Sequence, residues 1–263
     1  MIHTDNQNDI CSSTLELTTF NLPTQKLKLK NERTQKLKHM NLFCALGYKE
    51  WMKTRRIIGV LIVLFIAVLT YTFIELTYAI RLDGAVNVWY TYIYQGTSVA
   101  PLFAWLPLIA GLSIALTQFV PEMTNKRLKL TLHLPAPESL IIGHMLLYGL
   151  CMLLLLFVLS EVILIGAGSC YLPFGVLKQL GWQLLPWSMA GIAVYGFTSW
   201  VCIEPQWKQR IWNALTGIAG VSIFYISQFP GVYACFLTGS IVVAILSLSF
   251  PLYSCVRFKN GIQ

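Results

Sequence analysis

The sequence predicts an all-α integral membrane protein, with six transmembrane helices preceded by an interfacial amphipathic helix. Hydrophobic residues make up 56% of the 263-residue chain and charged residues only 11%, against about 25% charged residues in a typical soluble domain. Half of the charged side chains lie in the first 56 residues. The remainder of the chain contains six apolar runs. Each is long enough to cross a membrane as a helix, which needs about 20 residues.

This composition excludes a soluble globular enzyme, a nucleic-acid-binding domain and a disordered protein. The formal net charge of +8 indicates no nucleic-acid partner, because Lys and Arg gather beside the spans of membrane proteins, where they meet lipid. The seven cysteines are scattered without metal-ligand spacing. They are interpreted as small apolar fillers.

The first residues have a different character from the rest. Residues 1–39 are polar, carry six Lys and Arg, and contain no apolar run that could form the core of a signal peptide. They are typical either of a disordered tail or of a chain whose translation starts at Met40. Residues 40–56 form the predicted interfacial elbow helix, in which Trp51 suits the headgroup layer and Lys53 and Arg55 suit an anionic surface.

The transmembrane domain is predicted over residues 57–263. Its six apolar runs cover 57–79, 100–120, 139–166, 183–203, 211–228 and 232–255. Six spans place both termini on the same side of the membrane. Seventeen of the nineteen Lys and Arg fall on that side, and only Arg81 and Lys178 fall on the other. The positive-inside rule therefore places both termini in the cytoplasm, with the protein in the cell (inner) membrane.

The chain lacks the motifs of a catalyst. It has no H-E-x-x-H or G-x-S-x-G motif and no G-x-x-x-x-G-K-[ST] phosphate-binding loop. We therefore expect no cofactor and no enzyme activity, and any ATP hydrolysis would take place in another subunit. Ionisable residues within the spans are expensive to bury and are candidate functional groups by default; they are Glu75, His144, Glu161 and Glu204. The competing interpretation is that these groups snorkel or pair helices.

The cytoplasmic loop 121–138 combines apolar and basic residues. Pro121 followed by Glu122 is typical of the start of a helix, and Pro135 would end it. Between them, four leucines in seven residues make the loop too apolar for full exposure to water, so we expect them to dock on lipid or on a partner protein. The leucines alternate with polar residues, which leaves an extended second half open.

These features resemble the permease subunit of type-two ABC exporters. The resemblance covers residues 40–263 and rests on the K-E-W-M-K-T-R-R elbow, the six spans with cytoplasmic termini, and the Glu122 to Pro135 loop between the second and third spans. It implies a separate ABC ATP-binding subunit as partner, and a second permease protomer in a homodimer or heterodimer. It also implies that the loop couples the permease to the ATPase through residues that include Glu122, Lys126, Arg127, Leu128, Leu132 and Pro135.

A second function class fits the same sequence features. A membrane scaffold or assembly subunit that transports nothing would show the same composition and the same six spans. Secondary transport is disfavoured, because few ionisable groups lie at mid-membrane and no internal repeat is detectable. The loop discriminates between the first two classes, because only a permease requires contact with an ATPase.

Overall fold

A computed structural model describes residues 8–124, 138–226 and 236–259, with side chains over 43–124, 140–226 and 236–255. All secondary structure in these ranges is helical. The α-helices are α1 (Asn8–Asp83), α2 (Ala85–Tyr94), α3 (Leu106–Thr124), α4 (Glu138–Gly168), α5 (Phe174–Ile203), α6 (Trp207–Ser222) and α7 (Leu237–Lys259). Two short 3-10 helices cover Pro101–Trp105 and Ile223–Tyr225. The chain divides into two units, residues 1–48 and 49–263, and the contacts between side chains described below belong to the second.

Within the described ranges, four helices are long and apolar enough to cross a membrane. They are Phe43–Asp83, Pro101–Thr124, Leu140–Gly168 and Leu237–Cys255. Their outer faces carry large exposed apolar side chains, such as Val63 on α1 and Leu155 on α4, which are 67% and 63% exposed. An apolar surface of this extent indicates contact with lipid rather than water. The described residues are all-helical, as predicted, and these four helices are compatible with a multi-pass membrane protein.

The central helix is α5, which packs against α3, α4, α6 and α7. Because other helices cover it, α5 does not need an apolar surface and contains several buried polar residues, including Gln183, Ser188 and Ser199. The closest approach is to α3, where a Cβ added to Gly111 would lie 2.2 Å from the carbonyl oxygen of Gly191. Small residues allow such backbone contact between membrane helices, and the sequence places Gly111 and Ala115 on this face of α3.

The structure differs from the sequence prediction at several helix boundaries. Residues 49–83 form one helical stretch of α1 with no break at Arg56, where the prediction separates an elbow from the first span. Pro121 lies inside the last turn of α3 rather than at the start of a new helix. A proline inside a helix lacks the N–H that would bond to the carbonyl oxygen four residues earlier, and α3 continues for only three residues after Pro121.

The segment predicted to lie between the first and second spans also contains a helix. Asp83 ends α1, and Gly84 takes a φ of 78°, a left-handed conformation that glycine adopts without penalty. The chain then forms α2, whose Val88 is buried.

Candidate functional site

A cluster of buried charges lies where α1 meets the last turn of α3. Lys49 and Lys53 are one turn apart on α1, so their side chains lie on the same face of the helix. Lys49 Nζ lies 3.0 Å from Glu122 Oε1, and Lys53 Nζ donates to the same oxygen. Lys53 also pairs with Glu50 Oε1 at 2.8 Å. The cluster therefore contains two ammonium groups and two carboxylates.

Both carboxylates are removed from solvent. The side chains of Glu50 and Glu122 are each 1% exposed, and that of Lys53 is 14% exposed. Burying an isolated ion costs several kcal/mol, and an ion pair offsets this only where the geometry is good and the remaining lone pairs are bonded. The geometry is good here, because the contacts are short and the two ammonium groups balance the two carboxylates. Glu122 Oε2 has no hydrogen-bond partner among the described residues.

Hydrogen bonds extend the cluster to two further helices. Gln118 lies one turn before Glu122 on α3 and is fully buried. Its Nε2 donates to the Met145 carbonyl oxygen of α4 at 3.1 Å and lies 3.5 Å from Glu50 Oε2. Its Oε1 accepts from Tyr195 Oη of α5 at 2.8 Å. The buried network thus connects α1, α3, α4 and α5.

Two more side chains fit around this network. Thr54 Oγ1 donates to the Glu50 carbonyl oxygen at 3.0 Å and lies 2.9 Å from Tyr148 Oη. Gly149 leaves the space that the network occupies, because a Cβ at this position would lie 2.2 Å from Tyr195 Oη and 2.4 Å from Gln118 Oε1. Any larger residue at 149 would have to displace one of these two polar groups.

The structure separates the residues that the sequence suggested as candidate sites. Glu122 belongs to the buried cluster, whereas Lys126, Arg127, Leu128, Leu132 and Pro135 lie outside the described residues. Glu75 is exposed on α1 and His144 is half-buried on α4. Glu161 of α4 accepts a hydrogen bond from Ser188 Oγ of α5. Glu204 is buried after α5 and accepts from Ser254 Oγ of α7 at 2.6 Å.

Most of the network does not follow from the sequence alone. Lys49, Glu50 and Lys53 belong to the predicted interfacial helix 40–56, and the acidic side chain of Glu50 falls on the apolar half of that helix. That interruption is the signal that could have identified a buried acid in need of a cation. Gln118, an amide within an apolar run, is a second such signal, because a polar group in a span must find a partner.

Comparison with protein-family models, with curated proteins and with solved structures finds no match for this chain.

Proposed function

We propose that the chain is the permease subunit of an ATP-driven ABC transporter, an exporter, coupled through residues 121–135 to a separate ATP-binding subunit. The observation that carries this proposal is the position of Glu122. It lies in the last turn of α3, precedes the leucine-rich segment of the sequence, and is bonded to α1 through Lys49 and Lys53. Two such permeases, identical or different, would pair around the transport path.

The buried network provides a physical link from the loop to the spans. A displacement of Glu122 acts on α1 through two lysines, and on α4 and α5 through Gln118, one turn away. Buried charged contacts resist separation, because a broken pair leaves an uncompensated charge. An ATPase that moved the loop would therefore move these helices together rather than one at a time.

The proposal includes six spans, with α5 and α6 in addition to the four long apolar helices. The α5 helix has 30 residues, which gives about 45 Å at 1.5 Å per residue and exceeds the hydrocarbon thickness of about 30 Å. The α6 helix has 16 residues and is continued by the 3-10 helix Ile223–Tyr225. Both termini are cytoplasmic in this arrangement, as the distribution of Lys and Arg predicts.

Two native cysteines allow the orientation to be tested. Cys44 and Cys170 are exposed, and the proposed six-span topology assigns them to opposite sides of the membrane. In otherwise cysteine-free chains, a membrane-impermeant maleimide should label Cys170 in intact cells, and should label Cys44 only after permeabilisation. The reverse pattern would invert the orientation, and labelling of both in intact cells would contradict the three spans that the proposal places between Cys44 and Cys170.

The coupling role is tested by substituting two loop leucines. Moving a leucine from water into an apolar pocket gains about 1.5–3 kcal/mol, so Leu128→Ser with Leu132→Ser should release the ATP-binding protein that co-purifies with the wild-type chain. Lys129→Ala is the control and should weaken the association only in a salt-dependent manner. Co-purification and ATPase rates are measured in one detergent. Wild-type retention of the ATPase by the double variant would favour the alternative, a membrane scaffold or assembly subunit.

A further inference from the structure

Two adjoining cavities form a groove along α5, between α3 and α6. The first has a volume of about 530 Å³ and lies beside the end of α3 and the start of α6. The second has a volume of about 570 Å³ and follows α6 toward its other end. Val201, Cys202 and Ala214 line both. We treat the two as one groove, named the α3–α6 groove.

The two ends of the α3–α6 groove differ in chemistry. Arg210 lines the first cavity; its Nε donates to the Glu204 carbonyl oxygen, and its Cζ lies 5.5 Å from the centre of the Trp207 ring. Among the residues that the structure describes, no carboxylate lies within 4 Å of Arg210. At the opposite end, Trp105 stacks on Tyr225 with ring centres 6.0 Å apart. The groove thus runs from a guanidinium to an aromatic pair.

A buried amide lies one turn further into the groove than Arg210. Asn213 is 4% exposed and lines the second cavity, and its Nδ2 has no hydrogen-bond partner in the described part of the chain. A buried donor without an acceptor costs about 1–3 kcal/mol. Three residues of helix place Asn213 about 4.5 Å along the axis from Arg210. The groove therefore offers a cation, then the amide of Asn213, then a mostly apolar channel.

We propose that the α3–α6 groove binds an anionic phospholipid of the cytoplasmic leaflet. The phosphate contacts the terminal nitrogens of Arg210, since a guanidinium matches phosphate geometry. An ester carbonyl oxygen accepts from Asn213 Nδ2, and one acyl chain fills the apolar part. The distance from Arg210 to Val221 is about 16 Å of helix, close to half of the about 30 Å hydrocarbon core.

The proposal rests on the orientation given above, in which α6 begins on the cytoplasmic side, and is independent of the assignment as an ABC permease. Anionic lipids are concentrated in the cytoplasmic leaflet. Trp207, at the charged end, is 75% exposed, as expected for an aromatic residue at headgroup depth.

The head of the site is tested with purified full-length chain and native mass spectrometry. Wild type is incubated with dioleoyl phosphatidylglycerol or dioleoyl phosphatidylcholine, which differ only in the headgroup. We expect the wild-type chain to retain phosphatidylglycerol in preference to phosphatidylcholine. The Arg210→Gln chain should bind phosphatidylglycerol about ten-fold to a hundred-fold more weakly than wild type, the range for loss of a hydrogen bond to a charged group. Lys208→Gln is the matched control, because it removes the same charge from an exposed neighbour outside the groove.

Two further variants keep every charge. Ala214→Trp fills the junction of the two cavities and should abolish binding of phosphatidylglycerol in a chain that elutes as a single folded species. Asn213→Leu should weaken binding of ester-linked phosphatidylglycerol and leave that of its ether-linked analogue unchanged. Equal affinity for phosphatidylglycerol in wild type and Arg210→Gln, an equal loss in Lys208→Gln, or normal binding by Ala214→Trp would each overturn the proposal.

Discussion

Replacing Lys53 by Met should lower the free energy of unfolding by about 3–5 kcal/mol, the range measured when one partner of a buried ion pair is removed. Lys53 contacts both Glu50 and Glu122. Its loss leaves two buried carboxylates facing the single ammonium of Lys49. Unfolding of the purified chain by denaturing detergent, followed by circular dichroism, measures the difference from wild type.

Two further chains separate charge from side-chain packing. Lys178→Met removes an exposed lysine that has no ion-pair partner among the described residues, and should change stability by less than about 0.5 kcal/mol. Lys53→Met combined with Glu50→Gln restores equal numbers of the two charges and should recover part of the lost stability. A Lys53→Met chain as stable as Lys178→Met would show that the cluster contributes nothing to stability.

Replacing Gly149 by Ala should destabilise the chain by about 1–3 kcal/mol, as overpacking of a buried site does. The added methyl group would lie 2.2 Å from Tyr195 Oη, so Tyr195 or α4 must move and the hydrogen bond to Gln118 must lengthen. This steric cost is larger than the gain in helix stability when alanine replaces glycine, which is about 0.5–1 kcal/mol. The same unfolding measurement applies.

Gly143→Ala is the matched control on the same helix. A Cβ at 143 meets no atom within 4 Å, so this variant should keep the helix-propensity gain and be slightly more stable than wild type. If Gly149→Ala were as stable as Gly143→Ala, the close packing of Gly149 against the network would be contradicted.

The long apolar helices of the fold could be predicted from the sequence, because an apolar run of about 20 residues has few stable structures other than a membrane-spanning helix. The predicted run 139–166 lies within α4 (Glu138–Gly168), and the other runs overlap their helices with shifted ends. The start of α5 could not be predicted in this way. It begins at Phe174, nine residues before the predicted run, because helical hydrogen bonds continue into sequence too polar to register as a span.

The buried cluster could not be predicted because its members are far apart in sequence. Sixty-nine residues separate Lys53 from Glu122, and seventy-seven separate Gln118 from Tyr195. The polar side chains of these residues indicate only that each needs a hydrogen-bond or ion-pair partner within the bundle. The choice of partner depends on how α1, α3, α4 and α5 pack, which is tertiary information that hydropathy and periodicity do not contain.

The large sequence separation between the members of the network also has a consequence for biosynthesis. Glu122 can meet Lys49 and Lys53 once α3 has been made, but Gln118 must wait for Tyr195, which is synthesised 73 residues after Glu122. At about 5–20 residues per second, that interval lasts about 4–15 s. During it the nascent chain holds an amide oxygen without the hydroxyl that later bonds it. Ribosome pausing between α3 and α5 would lengthen this period, in which quality-control proteases can recognise the incomplete bundle.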